Sequence, residues 1–186
     1  VPLALIGLVV LASLLYGKDY RVDRLKAHAD MWNDMRGAGY QPVQSLTTIA
    51  SGGWLGVGLG GGVQKYGYLP ESHTDFVFAV ICEEAGLLGG GLVLALFCGF
   101  VWLGLRTFFS AATPLERLLG FGLTATLGAQ AAMNIAVVTA LAPTKGISLP
   151  FISAGGSGTL TFCIATGLLI AVAMRSAVDG QNEPAR

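Results

Sequence analysis

Three long apolar runs dominate the second half of the chain, and they restrict its fold more than any other feature. They cover residues 75–106, 115–141 and 150–175. A helix needs about 20 mainly apolar residues to cross roughly 30 Å of hydrocarbon, and each run is long enough. The composition agrees, with 53% hydrophobic residues, 12% charged residues and a mean hydropathy of +0.66. The sequence predicts an all-α protein, a polytopic membrane helix bundle.

Residues 1–16 form a shorter apolar run that starts at Val1 without a methionine. We interpret this run as a truncated helix, and we expect the chain to be the C-terminal part of a larger protein. No basic region precedes the run, so it does not resemble a signal peptide. Residues 17–74 are then a large loop, and residues 176–186 are a tail.

The net charge of zero conceals an asymmetry between the two sides of the predicted membrane. Seven of the eleven basic residues lie in the large loop or beside it at Lys145. The positive-inside rule would place this side in the cytoplasm, but the rule weakens for loops of this length. Charge counting therefore leaves the topology open.

The large loop has internal patterns. Apolar residues recur at helical spacing from Arg21 to Arg36, which is typical of an amphipathic helix at the membrane interface or of a packed surface helix. We expect Tyr40 to Ser45 to turn the chain. The glycine-dense segment 51–62 matches GxGxxG but lacks the strand and βαβ unit of a dinucleotide site. Its glycines predict either close approach of backbone to a ligand or helix, or a flexible re-entrant loop.

No metal site is predicted. His28 and His73 lie far apart and belong to no ligand motif, and the three cysteines show no CxxC spacing. Cys82, Cys98 and Cys163 lie in apolar runs, where buried thiols pack as small hydrophobic groups.

Carboxylates mark the start of the first long helix. Asp75 stands where a charged loop meets the apolar run, and we expect it to be the helix N-cap. Glu83 and Glu84 follow two turns later at membrane depth, where an acid needs a partner, a polar cavity or a proton. Gly86 and Gly90 form a GxxxG pair that favours close packing of helices.

The loop between the last two runs carries Lys145 between two prolines. The lysine is either an interfacial anchor or a contact for an anionic ligand. Ser157 is only superficially like a nucleophile, because its surroundings fail GxSxG. We interpret Ser153 to Thr159 as small-residue helix packing or a hinge.

Six segments of the chain form a recognisable set: Gly39–Ser45, Ser51–Gly53, Gly58–Gly60, Leu69–Ala79, Glu83–Glu84 and Leu149–Ser157. Through them the chain resembles the SEDS family of bacterial cell-wall polymerases, over roughly Tyr20 to Arg175. Val63–Tyr68 and Pro143–Gly146 are most similar to the cell-division branch of that family.

The resemblance implies a ten-helix enzyme in the bacterial inner membrane, of which this chain is the last four helices. It places the large loop outside the cytoplasm and the tail inside. The implied reaction is polymerisation of lipid II, in which an acceptor 4-hydroxyl attacks the anomeric carbon of a donor and releases undecaprenyl diphosphate. The fragment alone should be inactive. The implied partners are a class B penicillin-binding protein, other division proteins and membrane lipids, with no nucleic acid.

Residue roles follow from the same resemblance. Asp75 matches the essential loop aspartate and is the implied general base. The implied substrate contacts are Lys145, Lys65, Glu71 and His73, and the supporting residues are Glu83, Glu84 and Ser153. The resemblance also allows a divalent cation, Mg²⁺ or Mn²⁺, beside the diphosphate. The family usually has tyrosine at Ala154 and serine or alanine at Gly158, which questions local packing more than chemistry.

Two other functions remain open. A lipid II flippase would use the same cavity and acids without bond chemistry. A noncatalytic division scaffold would tolerate loss of Asp75 and keep its partners. Residue spacing alone leaves enzyme and transporter nearly balanced, and the family resemblance favours the enzyme.

Overall fold

The computed structural model describes residues 24–26, 28–35, 37, 39–62, 73–111 and 113–182, with side chains as far as residue 176. The residues described form helices and loops without strands. Four helices follow in order: α1 (Tyr40–Gly52), α2 (Val77–Ser110), α3 (Pro114–Val138) and α4 (Gly156–Asn182). Three are long and apolar enough to cross a membrane: Val77–Ser110, Pro114–Val138 and Gly156–Ser176. The predicted all-α membrane bundle is confirmed, and the protein is a multi-pass membrane protein.

The helix bounds differ from the predicted ones at several ends. α2 continues to Ser110, and α4 continues through Asn182 into the predicted tail. α3 ends at Val138, and Ala140 adopts a left-handed φ of 54° ahead of Pro143. α4 starts at Gly156, because residues 150–155 form turns and Phe151 also has a positive φ, of 66°. Residues 1–16 lie outside those described.

Within the large loop, the turn predicted from Tyr40 to Ser45 is wrong, because these residues open α1. Pro42 is tolerated there because the first turn of a helix needs no backbone N–H bonds. Toward the N-terminal end of the loop, helical residues are found at 24–26 and 28–29, followed by turns from residue 30 to 33. The helical residues described thus end at residue 29, ahead of the predicted end at Arg36.

α2 is broken at Gly86, which has φ 69° and ψ −168°. In an unbroken helix the N–H groups of Leu87 and Leu88 would bond to the carbonyls of Glu83 and Glu84. They donate instead to the carbonyls of Gly53 and Trp54, at 2.9 and 3.3 Å. The two carbonyls released accept from Val57 N–H (3.0 Å) and Gly58 N–H (3.1 Å). The glycine-dense segment therefore pairs with the helix backbone and satisfies groups that a break inside a membrane would leave exposed.

Two glycines explain why this close approach is possible. A β-carbon at Gly56 would lie 2.1 Å from the carbonyl oxygen of Glu84, and one at Gly86 would lie 2.4 Å from the nitrogen of Gly56. The prediction that these glycines allow close approach of backbones is confirmed. The GxxxG interpretation is wrong at this position. Gly86 breaks its helix, and Gly90 packs on Cys82 and Phe78 of the same helix.

The main buried cluster lies where the start of α2 meets the end of α3 and the turn before α4. Ser45 of α1 joins it to the large loop, donating from its hydroxyl to the carbonyl of Val138 at 2.6 Å. Many other apolar side chains of the helices are exposed, which suits contact with lipid or with further helices. The buried cluster comprises Phe76, Phe78, Ala79, Cys82, Ala131, Val137, Val138 and Leu149.

The cysteines only partly follow their predicted packing. Cys82 is buried in this cluster, whereas Cys98 and Cys163 are exposed in the described part of the chain. Position in an apolar run therefore did not determine burial in this bundle.

Candidate active site

The segment that leads into α2 is held by three donors on three successive carbonyl groups. Ala154 N–H donates to the carbonyl of His73 at 2.9 Å, and the Ser153 hydroxyl donates to that of Thr74 at 2.5 Å. The side-chain amide of Asn134 donates to the carbonyl of Asp75 at 2.7 Å. Two donors come from the turn before α4 and one from α3. The main chain at Asp75 is therefore fixed from both sides.

Ser153 has a second contact that fixes its own hydroxyl. The N–H of Leu149 donates to this oxygen at 2.7 Å, so the hydroxyl accepts one bond and donates another. Ser153 is 6% exposed. The interpretation of Ser153 to Thr159 as helix packing or a hinge is therefore incomplete, since Ser153 ties its turn to the Asp75 segment.

Asp75 does not occupy the N-cap position. α2 begins at Val77, and Phe76 is the N-cap residue. Phe76 is 2% exposed and belongs to the buried cluster, so packing of its ring fixes the start of the helix. Asp75 is half-buried at the edge of this cluster and stands two residues before the first residue of the helix.

The Lys145 loop lies directly against Asp75. A β-carbon built on Gly146 would be 3.3 Å from Oδ2 of Asp75, so the carboxylate packs on this glycine. Lys145 is the preceding residue and is exposed. The fold thus places the Asp75 carboxylate against a loop that contains an exposed lysine, 70 positions away in the sequence, and a lysine of this kind can contact an anionic substrate.

Side chains from outside the loop hold its backbone. The guanidinium of Arg24 donates to the carbonyl of Thr144, and Asn134 donates to that of Ile147 at 2.6 Å. The amide of Gln130 donates to the carbonyl of Ser148 at 3.1 Å. Arg24 belongs to the large loop, so the large loop and the Lys145 loop lie on the same side of the bundle.

Sequence reasoning missed Gln130 and Asn134. Both are amides inside an apolar run, one helical turn apart, and Asn134 is 1% exposed. Polar side chains at membrane depth need partners, and residues at i and i+4 share one helix face. The i, i+4 spacing of the two amides could therefore have predicted a polar face on α3.

The remaining predicted residues fall into three groups. His73 is exposed beside Asp75, with its carbonyl held as described above. Glu83 is 3% exposed and lies at the break in α2, where a β-carbon on Gly62 would be 2.8 Å from its Oε2. Glu84 is half-buried beside the same loop. Lys65 and Glu71 lie outside the described residues.

Metal ligands do not converge in the part of the chain that the structure describes. No group of three His, Cys, Asp or Glu side chains there is placed to hold an ion. The described residues therefore do not form a metal-binding cluster of their own.

Comparisons with known proteins agree with this architecture. Residues 1–177 match the family model described as "Cell cycle protein", which groups FtsW, RodA and SpoVE. The "Probable peptidoglycan glycosyltransferase FtsW" of Hahella chejuensis is 43% identical over 175 residues, covering 92% of this chain and 44% of the relative. "Stage V sporulation protein E" of Bacillus subtilis is 40% identical, covering 94% and 47%.

A solved structure gives the same result in three dimensions. Its description reads "Structural coordination of polymerization and crosslinking by a peptidoglycan synthase complex". The superposition has a TM-score of 0.70 at 27% identity and covers 94% of this chain and 48% of the other. The chain spans about half the length of the curated relatives it matches. The family model, the relatives and the shared fold agree, and the chain belongs to the FtsW, RodA and SpoVE family of cell cycle proteins.

Proposed function

We propose that the whole protein is a peptidoglycan glycosyltransferase that polymerises lipid II during cell division. The observation that carries this proposal is the position of Asp75: its main chain is held by Asn134, and its carboxylate packs against the loop that contains Lys145. The names of the relatives supply the reaction class. A site that must deprotonate a hydroxyl beside a departing diphosphate needs a base and a cation, and Asp75 and the adjacent Lys145 loop supply one of each.

In the proposed reaction the acceptor sugar's 4-hydroxyl oxygen attacks the anomeric carbon of the donor. The new carbon–oxygen bond forms as the bond to undecaprenyl diphosphate breaks, and the diphosphate leaves with the bonding electrons. Asp75 accepts the hydroxyl proton. The three hydrogen bonds at residues 73–75 hold the main chain that carries this base, which lowers the entropic cost of positioning it.

Residues of the exposed loops are proposed to bind the charged groups of the substrate. Lys145 contacts the diphosphate as a mobile point charge, and its loop is held in place by Arg24, Gln130 and Asn134. His73 lies beside Asp75 and is proposed to contact a sugar or phosphate oxygen. Lys65 and Glu71 are proposed as further substrate contacts on the basis of the resemblance alone.

Glu83 and Glu84 are proposed to support the site without touching substrate. Their carbonyls, eight and nine residues after Asp75, accept hydrogen bonds from the glycine-dense loop at the break in α2. A divalent cation, Mg²⁺ or Mn²⁺, remains part of the proposal as a companion of the substrate diphosphate. If bound, it would neutralise charge on the leaving group, and the proposed roles of Asp75, Lys145 and His73 would be unchanged.

The proposal includes a location and a partner. The protein lies in the bacterial inner membrane, with the large loop and the Lys145 loop on the extracytoplasmic side. A class B penicillin-binding protein is the proposed partner, because the matched structure is a complex for "polymerization and crosslinking".

The test is glycan synthesis from purified lipid II by the whole protein in complex with its penicillin-binding partner. We expect Asp75→Asn to abolish polymer while the complex still assembles and unfolds at the wild-type temperature. Asp30→Asn is the matched control, because it removes the same charge from an exposed position in the same loop and should leave polymer formation unchanged.

Three results would contradict the proposal in different ways. Undiminished polymer from Asp75→Asn would remove this residue as the base. Absence of polymer from a folded wild-type complex, together with movement of lipid II across vesicles, would favour a flippase instead. Absence of both activities with partner binding retained would favour a scaffold.

A further inference from the structure

Asn134 occupies an unusual place in the bundle. Its side-chain nitrogen donates one bond to the carbonyl of Asp75 (2.7 Å) and another to the carbonyl of Ile147 (2.6 Å). These carbonyls belong to the two segments that carry the candidate base and the candidate diphosphate contact. One buried amide in α3 thus connects both segments of the site.

The chemistry of the connection requires this type of residue. A carboxamide nitrogen carries two N–H groups, so it can bond to two carbonyls at once. A hydroxyl has one proton, and a carboxylate has none. An asparagine side chain has a single methylene between its amide and the backbone, so few rotamers are available to it once both hydrogens are bonded.

A second observation indicates that Asn134 does more than stabilise the bundle. Its Oδ1 is buried and has no hydrogen-bond partner among the residues described. A buried acceptor without a partner is unfavourable, and an apolar residue at this position would avoid that desolvation. The two donated bonds are therefore the reason to have an amide here.

We propose that Asn134 is a positioning residue that sets the separation between the Asp75 carboxylate and the Lys145 loop. This inference rests on the proposed function. The base must reach the acceptor hydroxyl while the lysine holds the departing diphosphate, and the two reactants must lie in line. Asp75 Oδ2 packs on Gly146, so a shift of either segment changes this spacing directly. A misplacement of about 1 Å can reduce a rate by about 100-fold.

The experiment compares Asn134→Leu with Asn134→Gln in the whole protein with its penicillin-binding partner, measuring kcat and KM for lipid II. Leucine has a similar branched shape and no donor, whereas glutamine keeps both N–H groups on a longer stem. We expect kcat to fall by about 100-fold for leucine and by clearly less for glutamine, with smaller changes in KM. A role in packing alone would give the opposite order.

Ser45→Ala is the matched control. It removes a buried hydrogen bond to the carbonyl of Val138, which lies on the same helix as Asn134, but Ser45 contacts neither segment of the site through that bond. We expect its kcat per folded complex to stay within about twofold of wild type, since it measures the effect of weakening the bundle alone. If Asn134→Leu does not yield a folded complex, Asn134→Ser replaces it, and its single short donor should lower kcat at least tenfold.

The inference is overturned if leucine retains kcat within threefold of wild type, or if leucine and glutamine lower kcat no more than Ser45→Ala does. Asp75→Asn is measured in parallel. Loss of activity in Asp75→Asn with normal Asn134 variants rejects only the positioning role. Full activity in Asp75→Asn rejects the proposed base itself.

Discussion

Replacing Gly86 by alanine tests whether the break in α2 is a required part of the structure. The glycine has φ 69° and ψ −168°, a region that residues with a β-carbon occupy at a cost of about 1–3 kcal/mol. The added β-carbon would also lie 2.4 Å from the nitrogen of Gly56 and 2.4 Å from the carbonyl oxygen of Trp54. Both neighbours are backbone atoms, so they cannot move aside as a side chain would.

The Gly86→Ala protein can respond in two ways, and both lower its stability. If the break stays, the strain remains and the loop must move, which weakens four hydrogen bonds of about 1 kcal/mol each. If α2 straightens, two helical bonds reform, but the loop's two N–H and two C=O groups lose their partners. The first response keeps strain of about 1–3 kcal/mol and weakens four bonds, and the second loses four bonds and regains two, so either response should destabilise the protein by about 2–3 kcal/mol.

The assay is thermal unfolding of the whole protein, combined with hydrogen exchange of residues 53–58. We expect the midpoint of Gly86→Ala to fall by roughly 10 °C and exchange in the loop to become faster. Gly91→Ala is the control on the same helix, because a β-carbon there meets nothing within 4 Å. Equal midpoints for the two variants, with the loop still protected, would refute the reasoning.

Three further predictions concern packing and capping. Gly104→Ala should lower the unfolding midpoint, because its β-carbon would lie 2.2 Å from the Thr124 hydroxyl, and adding Thr124→Ala should restore part of the loss in the same melt. Ser153→Ala should lower both the midpoint and polymer formation from lipid II, since Leu149 N–H and the Thr74 carbonyl lose their partner at about 1–3 kcal/mol. Thr113→Ala should cost about 1 kcal/mol in denaturant unfolding by removing the capping box with Glu116, and an unchanged unfolding free energy would contradict this.

The sequence predicted those features that depend on local composition. Apolar runs long enough to cross a bilayer became α2, α3 and α4, and the glycine-dense segment approaches another backbone closely. The break at Gly86 was not predicted, because hydropathy is insensitive to φ and the GxxxG spacing indicated packing. α1 was missed because glycine and proline near its start resemble a turn, although a first turn accommodates both.

The candidate site was likewise predicted only in part. Asp75 and Lys145 were identified through the family resemblance, but the approach of Asp75 to Gly146, the residue after Lys145, joins segments some 70 residues apart with α3 between them. Ser153 reaches Thr74 across 79 residues, and Asn134 reaches Asp75 across 59. Hydrophobic periodicity describes one helix or strand at a time, so it cannot predict such long-range hydrogen-bond partners. The helix start also shifted, since burial of Phe76 outweighed the capping preference of Asp75.

The three bonds that fix residues 73–75 have a consequence for biogenesis. Two of their donors, Ser153 and Ala154, are translated long after Asp75 and stand just ahead of the last helix. A nascent chain that has inserted α2 and α3 can already form the Asn134 bond, but its aspartate segment is still held at one point only. All three bonds can therefore form only once the turn before α4 has emerged, and a chain stalled before this turn would lack two of the contacts that hold the segment of the proposed base.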